Sequence, residues 1–158
     1  MSWLKESGKA NTDNACIVGG SYGGYAALVA GFQTPDLFKC IVSIAGISDM
    51  KSQINHWEKF GFDSYINNAV SKSPSEMKKV SPIHHISAYK APVLLIHGKS
   101  DTRVSFYQSQ RMFDALNDAG KEVDYELFKF GTHHLNDAAN RKRAMEMMEK
   151  FLSKHLKS

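Results

Sequence analysis

The chain has 158 residues, 42% of them hydrophobic and 23% charged, which is the composition of one ordinary globular domain long enough to bury a core, without repeats or low-complexity runs. No apolar stretch approaches the roughly 18 residues of a membrane span, and no basic-then-apolar leader opens the chain, so neither a span nor a signal peptide is read. The net charge of +4 is scattered along the sequence, densest at Arg141-Lys142-Arg143 on the polar face of the last helical pattern, which reads as a solvated face and not as a nucleic-acid surface.

The first strand is the run Ala15-Cys16-Ile17-Val18, which leads into Gly19-Gly20-Ser21-Tyr22-Gly23-Gly24 and then into a small-residue, mostly apolar helical stretch at 25–32. Strand, glycine-flanked serine and helix in that order form a nucleophile elbow. The serine of such an elbow sits on a sharp, strained turn, and glycines flank it where a Cβ would strike the neighbouring strand or helix. The start of the helix aims backbone N–H groups at the oxygen of an attacked carbonyl, which makes the N–H of Tyr22 the candidate oxyanion donor. A second strand at 40–45 follows, with Asp49 just beyond it. Cys16 and Cys40 fall at the starts of these two strands, where small buried thiols are the expected state and a disulfide the alternative. Two cysteines do not define a compartment, and the cytoplasm is the default. The polar, aromatic-rich segment 51–90, with Trp57, Phe60, Phe62 and Tyr65, is expected to form short helices, either as a lid or as a connector.

The third strand, Pro92-Val93-Leu94-Leu95-Ile96-His97-Gly98, is a continuous apolar run of the fully buried kind. It leads into Lys99-Ser100-Asp101-Thr102-Arg103-Val104, so Asp101 lies just past a strand's carboxyl end, where open α/β sheets place ligand-facing residues. A helix at 106–119 carries Met112, Phe113, Leu116 and Ala119 at three- and four-residue steps. The fourth strand, 123–130, ends in Gly131-Thr132-His133-His134, and a closing helix repeats the helical spacing with Ala144, Met148, Phe151 and His155 or Leu156. This alternation predicts a parallel sheet with right-handed crossovers.

A serine hydroxyl is a weak nucleophile at neutral pH and needs a base and a carboxylate that orients the base, in the order Ser, Asp, His. Ser21, Asp101 and His133 satisfy that order and sit after three different strands at one edge. His134 is the competing base and Asp49 the competing acid. Tyr25, Ile47, Met50 and Val104 lie near the same edge, either as walls of a substrate pocket or as core. The remaining histidines, His56, His84, His85, His97 and His155, are read as structural or solvated, with His97 a neutral imidazole bonded to backbone. No pair of them has helical metal-ligand spacing backed by cysteines or carboxylates, so neither a metal nor a cofactor is expected.

The segment 19–25, the third strand with Asp101-Thr102-Arg103-Val104, and Gly131-Thr132-His133 followed by Asn140-Arg141 resemble the prolyl oligopeptidase family of serine peptidases. The likeness is greatest to its acylaminoacyl-peptidase and dipeptidyl-peptidase branches. Trp3-Leu4 ahead of Asp13 and Ser81-Pro82 ahead of the third strand fit as well, so the resemblance covers nearly the whole chain. It implies an α/β-hydrolase-like parallel sheet with helices on both faces, truncated at its N-terminal side, within a single partial domain at 1–158. Ser21 would be the nucleophile, Asp101 the orienting acid and His133 the base, the family's spacing from the last strand favouring His133 over His134. The implied reaction is cleavage of peptide or acyl-peptide bonds through an acyl-enzyme. The alternatives are a carboxylesterase acting on small esters and a catalytically weak, self-associating fragment.

In that family the catalytic domain has further strands before the elbow, which carry a second oxyanion donor, usually a tyrosine side chain, and a β-propeller gates the substrate. This chain opens at 2–7, in what corresponds to the helix before the elbow strand, and shows neither. The first strand is therefore expected to present an unpaired apolar edge that drives formation of a homodimer or larger species. The implied partner is a peptide or ester substrate, with no nucleic acid and no membrane.

Overall fold

A computed structural model of the chain describes residues 2–59 and 73–156. Phe60, Phe62 and Tyr65 lie outside the described residues. In order, the elements are α1 (Ser2–Glu6), β1 (Cys16–Gly20), α2 (Tyr22–Gln33), β2 (Cys40–Ile44), α3 (Met50–Glu58), α4 (Pro74–Val80), two single 3₁₀ turns at Pro82–His84 and Ile86–Ala88, β3 (Val93–Gly98), α5 (Tyr107–Asp118), β4 (Val123–Phe128) and α6 (Ala138–His155). The fourth strand ends two residues earlier than its apolar run, and Phe130 stands 77% exposed in the turn beyond it. The helix after the elbow starts at Tyr22, earlier than its apolar pattern, because Gly23 and Gly24 are themselves helical.

The sheet is wholly parallel, in the spatial order β1-β2-β3-β4. Each crossover moves one strand in the same direction, so the right-handed rule sends the crossover helices to one face. There Ala27 and Leu28 of α2 and Met112 and Leu116 of α5 close over Ile41, Val93 and Leu95. The other face is covered by α6, whose Ala144 and Phe151 pack on Cys40, Val42, Leu94 and Ile96. The middle strands are thus buried on both sides, which is why β3 reads as one unbroken apolar run.

β1 lies at the edge of this sheet, as expected. Val18 shares a face with its register partner Val42, but α6 packs mainly on β2 and β3 on that side, and Val18 stays 47% exposed while Val42 is wholly buried. The cysteines overturn the free-thiol expectation. Cys16 and Cys40 are direct partners in the β1–β2 register, their Cα atoms are 4.7 Å apart, and they form a disulfide. Adjacent strands in matched register bring the two side chains within bonding reach, which their places in the sequence do not reveal.

The elbow is built by close approach. A Cβ on Gly19 would overlap the Gly23 carbonyl, whereas one on Gly23 would meet nothing within 4 Å. The requirement for glycine therefore falls on Gly19 and on Gly24, whose Cβ would come within 2.9 Å of Gly46 Cα, and not on Gly23. Gly19→Ala is expected to destabilise the protein by on the order of 4 kcal/mol or more. Gly23→Ala is expected to be neutral or to stabilise the helix by about 0.5 kcal/mol. Chemical denaturation of both variants measures the contrast, and equal losses would remove the steric account of the elbow.

Candidate active site

Ser21 sits between β1 and α2 with φ 56° and ψ −120°, a left-handed conformation that a side chain rarely adopts and that costs on the order of 1–3 kcal/mol. Two backbone bonds hold it there: its N–H donates to Ile44 O at 2.8 Å, and its carbonyl accepts from Tyr25 N at 3.0 Å. At the N-cap of α2 the serine side chain makes no capping bond, so its Oγ points away from the helix. Tyr22 is the first helical residue, and the first N–H groups of a helix have no partner within it.

The Asp101 turn is fixed from several sides. Oδ1 accepts from the N–H groups of Arg103 at 2.8 Å and Val104 at 3.0 Å, closing the turn around the carboxylate. α3 braces the outside: Gln53 and Trp57 donate to Arg103 O at 2.8 and 3.1 Å, and His56 Nε2 lies 2.9 Å from Thr102 O. The first helix of the 51–90 segment therefore acts as a brace for this turn. A close approach joins the turn to the loop after β4, where Ser100 N donates to Gly131 O at 2.9 Å. Gly98 and Gly131 touch so closely that a Cβ on Gly98 would overlap the Gly131 carbonyl.

Asp101 Oδ2 receives His133 Nδ1 at 2.7 Å, and His133 Nε2 lies 2.9 Å from Ser21 Oγ. The protonation pattern follows from chemistry alone. A carboxylate only accepts, so Nδ1–H donates to Asp101, and Nε2 accepts the hydroxyl proton of Ser21. The Asp101 side chain is fully buried and that of His133 is 8% exposed. Burial by itself would raise the Asp101 pKa, but hydrogen bonds from His97, Val104 N–H and His133, together with the His133 charge, bring it down to about 2.

Its folded pKa therefore lies below the ordinary value of 3.8. The stability Asp101 supplies is complete above pH 4 and is lost as the pH falls toward 2. The advantage of the native chain over Asp101→Asn in denaturation midpoint is expected to shrink across that interval. An advantage constant from pH 5 to pH 2 would contradict the assignment.

The competing residues are placed elsewhere. His134 is exposed, its ring edge-on to His133 with centroids 5.0 Å apart. Asp49 caps α3 through Ser52 N at 3.1 Å and faces Arg111 at 3.6 Å. Ile47, Met50 and Val104 are buried in one apolar cluster with Ile54 and Met77, and Tyr25 packs against it while its hydroxyl donates to Val80 O at 2.9 Å. A groove of about 250 Å³ opens on the other side of His133, with Ile44, Leu135, Arg141, Met145 and Met148 on its walls, and none of the four predicted pocket residues lines it. His97 makes the backbone bond expected of it, but sequence reasoning misses its other contacts. Its ring bonds Ser109 Oγ at 2.7 Å and Val104 O at 3.1 Å, and reaches Asp101 Oδ2 at 3.2 Å. The available signal was its place four residues before the acid, at the end of a buried strand.

A parallel sheet whose strand-turn-helix elbow holds a serine within reach of a histidine from a later loop defines an α/β-hydrolase fold. The chain belongs to the prolyl oligopeptidase family, whose model matches residues 1–158. It is 30% identical to dipeptidyl aminopeptidase BIII of Pseudoxanthomonas mexicana over 99% of this chain and 24% of that protein. It is 31% identical to inactive dipeptidyl peptidase 10 of Rattus norvegicus over 87% of this chain and 17% of that protein. The acylaminoacyl peptidase of Pyrococcus horikoshii superposes with a TM-score of 0.85 at 31% identity, over 99% of this chain and 26% of that one. The chain thus spans between about a sixth and a quarter of the length of these relatives.

Proposed function

We propose that this chain carries the nucleophile, base and acid of a serine hydrolase that cleaves peptide or acyl-peptide bonds through an acyl-enzyme. The observation that carries the reading is the continuous path from Asp101 Oδ2 through His133 to Ser21 Oγ, with both bonds within 3.0 Å. Ser21 Oγ attacks the substrate carbonyl as its proton passes to His133 Nε2, and Asp101 stabilises the imidazolium through Nδ1–H. The tetrahedral oxyanion accepts from Tyr22 N–H at the start of α2. Collapse breaks the bond to the leaving group, which takes the proton back from His133, and water repeats the sequence on the acyl-serine to release the acid. Tyr25, Ile47, Met50 and Val104 are proposed to form the wall against the acyl side chain, through the apolar cluster beside the Asp101 turn. Likeness to a dipeptidyl aminopeptidase and an acylaminoacyl peptidase supports peptides as substrates.

The test is labelling of the purified chain with a fluorophosphonate, which reports an activated serine without needing the right substrate. Stoichiometric labelling at Ser21 is expected, and a folded chain that stays unlabelled would overturn the reading.

A second reading, a weakly active module that associates with itself, is favoured by the exposed β1 edge and by the likeness to an inactive dipeptidyl peptidase. An edge strand whose outer N–H and C=O groups meet no strand among the described residues is a template for pairing with a second copy. Sedimentation at micromolar protein is expected to show a dimer or larger species, and a clean monomer would remove self-association from the proposal.

A further inference from the structure

The chain of polar contacts does not stop at Asp101. It continues inward to a second imidazole and a second serine, giving the sequence Ser21, His133, Asp101, His97, Ser109. The outer half faces the elbow, and the inner half is sealed: His97 is 0% and Ser109 2% exposed. His97 stands at the penultimate position of β3 and Ser109 in the first turn of α5, so the inner pair ties the acid's turn to two rigid elements at once.

Chemistry fixes the protons of the inner pair as it does those of the outer one. His97 Nε2 faces two acceptors, so it carries a hydrogen: it donates to the Val104 carbonyl at 3.1 Å and lies 3.2 Å from Asp101 Oδ2. With the ring neutral, Nδ1 accepts from the Ser109 hydroxyl at 2.7 Å. Ser109 therefore holds the tautomer in which His97 is a donor toward the carboxylate. The two oxygens of Asp101 are held differently: Oδ1 has two backbone N–H donors within its own turn, whereas among the described residues Oδ2 has the hydrogen bond from His133 and the His97 ring 3.2 Å away. With His97 gone, the carboxylate can twist while Oδ1 stays bonded, and the oxygen that meets His133 moves.

We propose that His97, oriented by Ser109, is a positioning residue that fixes Asp101 Oδ2 in line with His133 Nδ1. This rests on the hydrolase reading above for its consequence in rate, but not for its consequence in structure. A single misplaced group of this kind costs about tenfold to a hundredfold in rate.

The experiment compares the native chain with His97→Leu, His97→Gln and Ser109→Ala by two readouts. One is the rate of fluorophosphonate labelling. The other is the downfield proton resonance of the His133 Nδ1–H bond to Asp101, assigned by its loss in His133→Ala. His97→Leu is expected to slow labelling by about tenfold to a hundredfold and to move the resonance upfield and broaden it. His97→Gln, which keeps an N–H near the Nε2 position, is expected to restore most of both. Ser109→Ala removes little volume and is expected to shift both readouts in the same direction by less, which keeps the test decisive if His97→Leu does not fold. A folded His97→Leu with native resonance and rate overturns the proposal, as does a glutamine no better than leucine. If the native chain is not labelled, the hydrolase reading fails while the resonance still decides the role of His97.

Discussion

Ser21→Ala is expected to abolish fluorophosphonate labelling and any hydrolysis, a loss on the order of a million-fold in turnover, while the protein keeps its fold. The size follows from what the hydroxyl does: it supplies the attacking atom and the proton that His133 removes, and nothing else at the elbow can replace either. The fold is retained because the bonds that hold the turn are backbone ones. Ser21 N to Ile44 O and Tyr25 N to Ser21 O survive in alanine, and alanine bears the same positive φ with a side chain no larger. Labelling and thermal melting on the same samples separate the two effects. Labelling that persists in Ser21→Ala would sink the elbow assignment.

His133→Ala is expected to cost activity on the same scale, and His134→Ala to leave most of it. Only His133 joins Asp101 to Ser21, with bonds of 2.7 and 2.9 Å to the two. His134 touches this arrangement only through the edge of its ring, at 5.0 Å between centroids, and its loss removes a contact and no proton path. Alanine at 133 also leaves the Asp101 carboxylate buried without its hydrogen bond to Oδ2, so some loss of stability accompanies the loss of rate. The measurement is labelling rate for the two variants side by side. A more damaging His134→Ala would move the base by one residue.

The disulfide and the exposed edge meet at the same strand. Cys16 ties the start of β1 to β2, so the strand that carries the nucleophile is held covalently at one end and by the elbow's backbone bonds at the other. Among the described residues no strand pairs with its other side, and Val18 is half exposed on the sheet face.

By itself the sequence determined the four strands, their parallel order of helix and strand, the elbow at Ser21, and the placing of Asp101 and His133 at the carboxyl ends of β3 and β4. These are local signals: apolar runs of strand length, helical spacing, and glycines at sharp turns, each readable within a window of a dozen residues. The tertiary structure decided what depends on contacts between distant segments. His133 meets Ser21 across 112 residues and Asp101 across 32, and only that geometry turns His133 inward and leaves His134 to solvent. The Cys16–Cys40 bond depends on strand register, which neither cysteine's neighbours encode. The same holds for His97, whose environment looked like that of any core histidine until the Asp101 turn folded back over it and α5 brought Ser109 to its other nitrogen. Periodicity fixes which way a side chain faces along its own element, but the partner it meets there is set by how the elements pack.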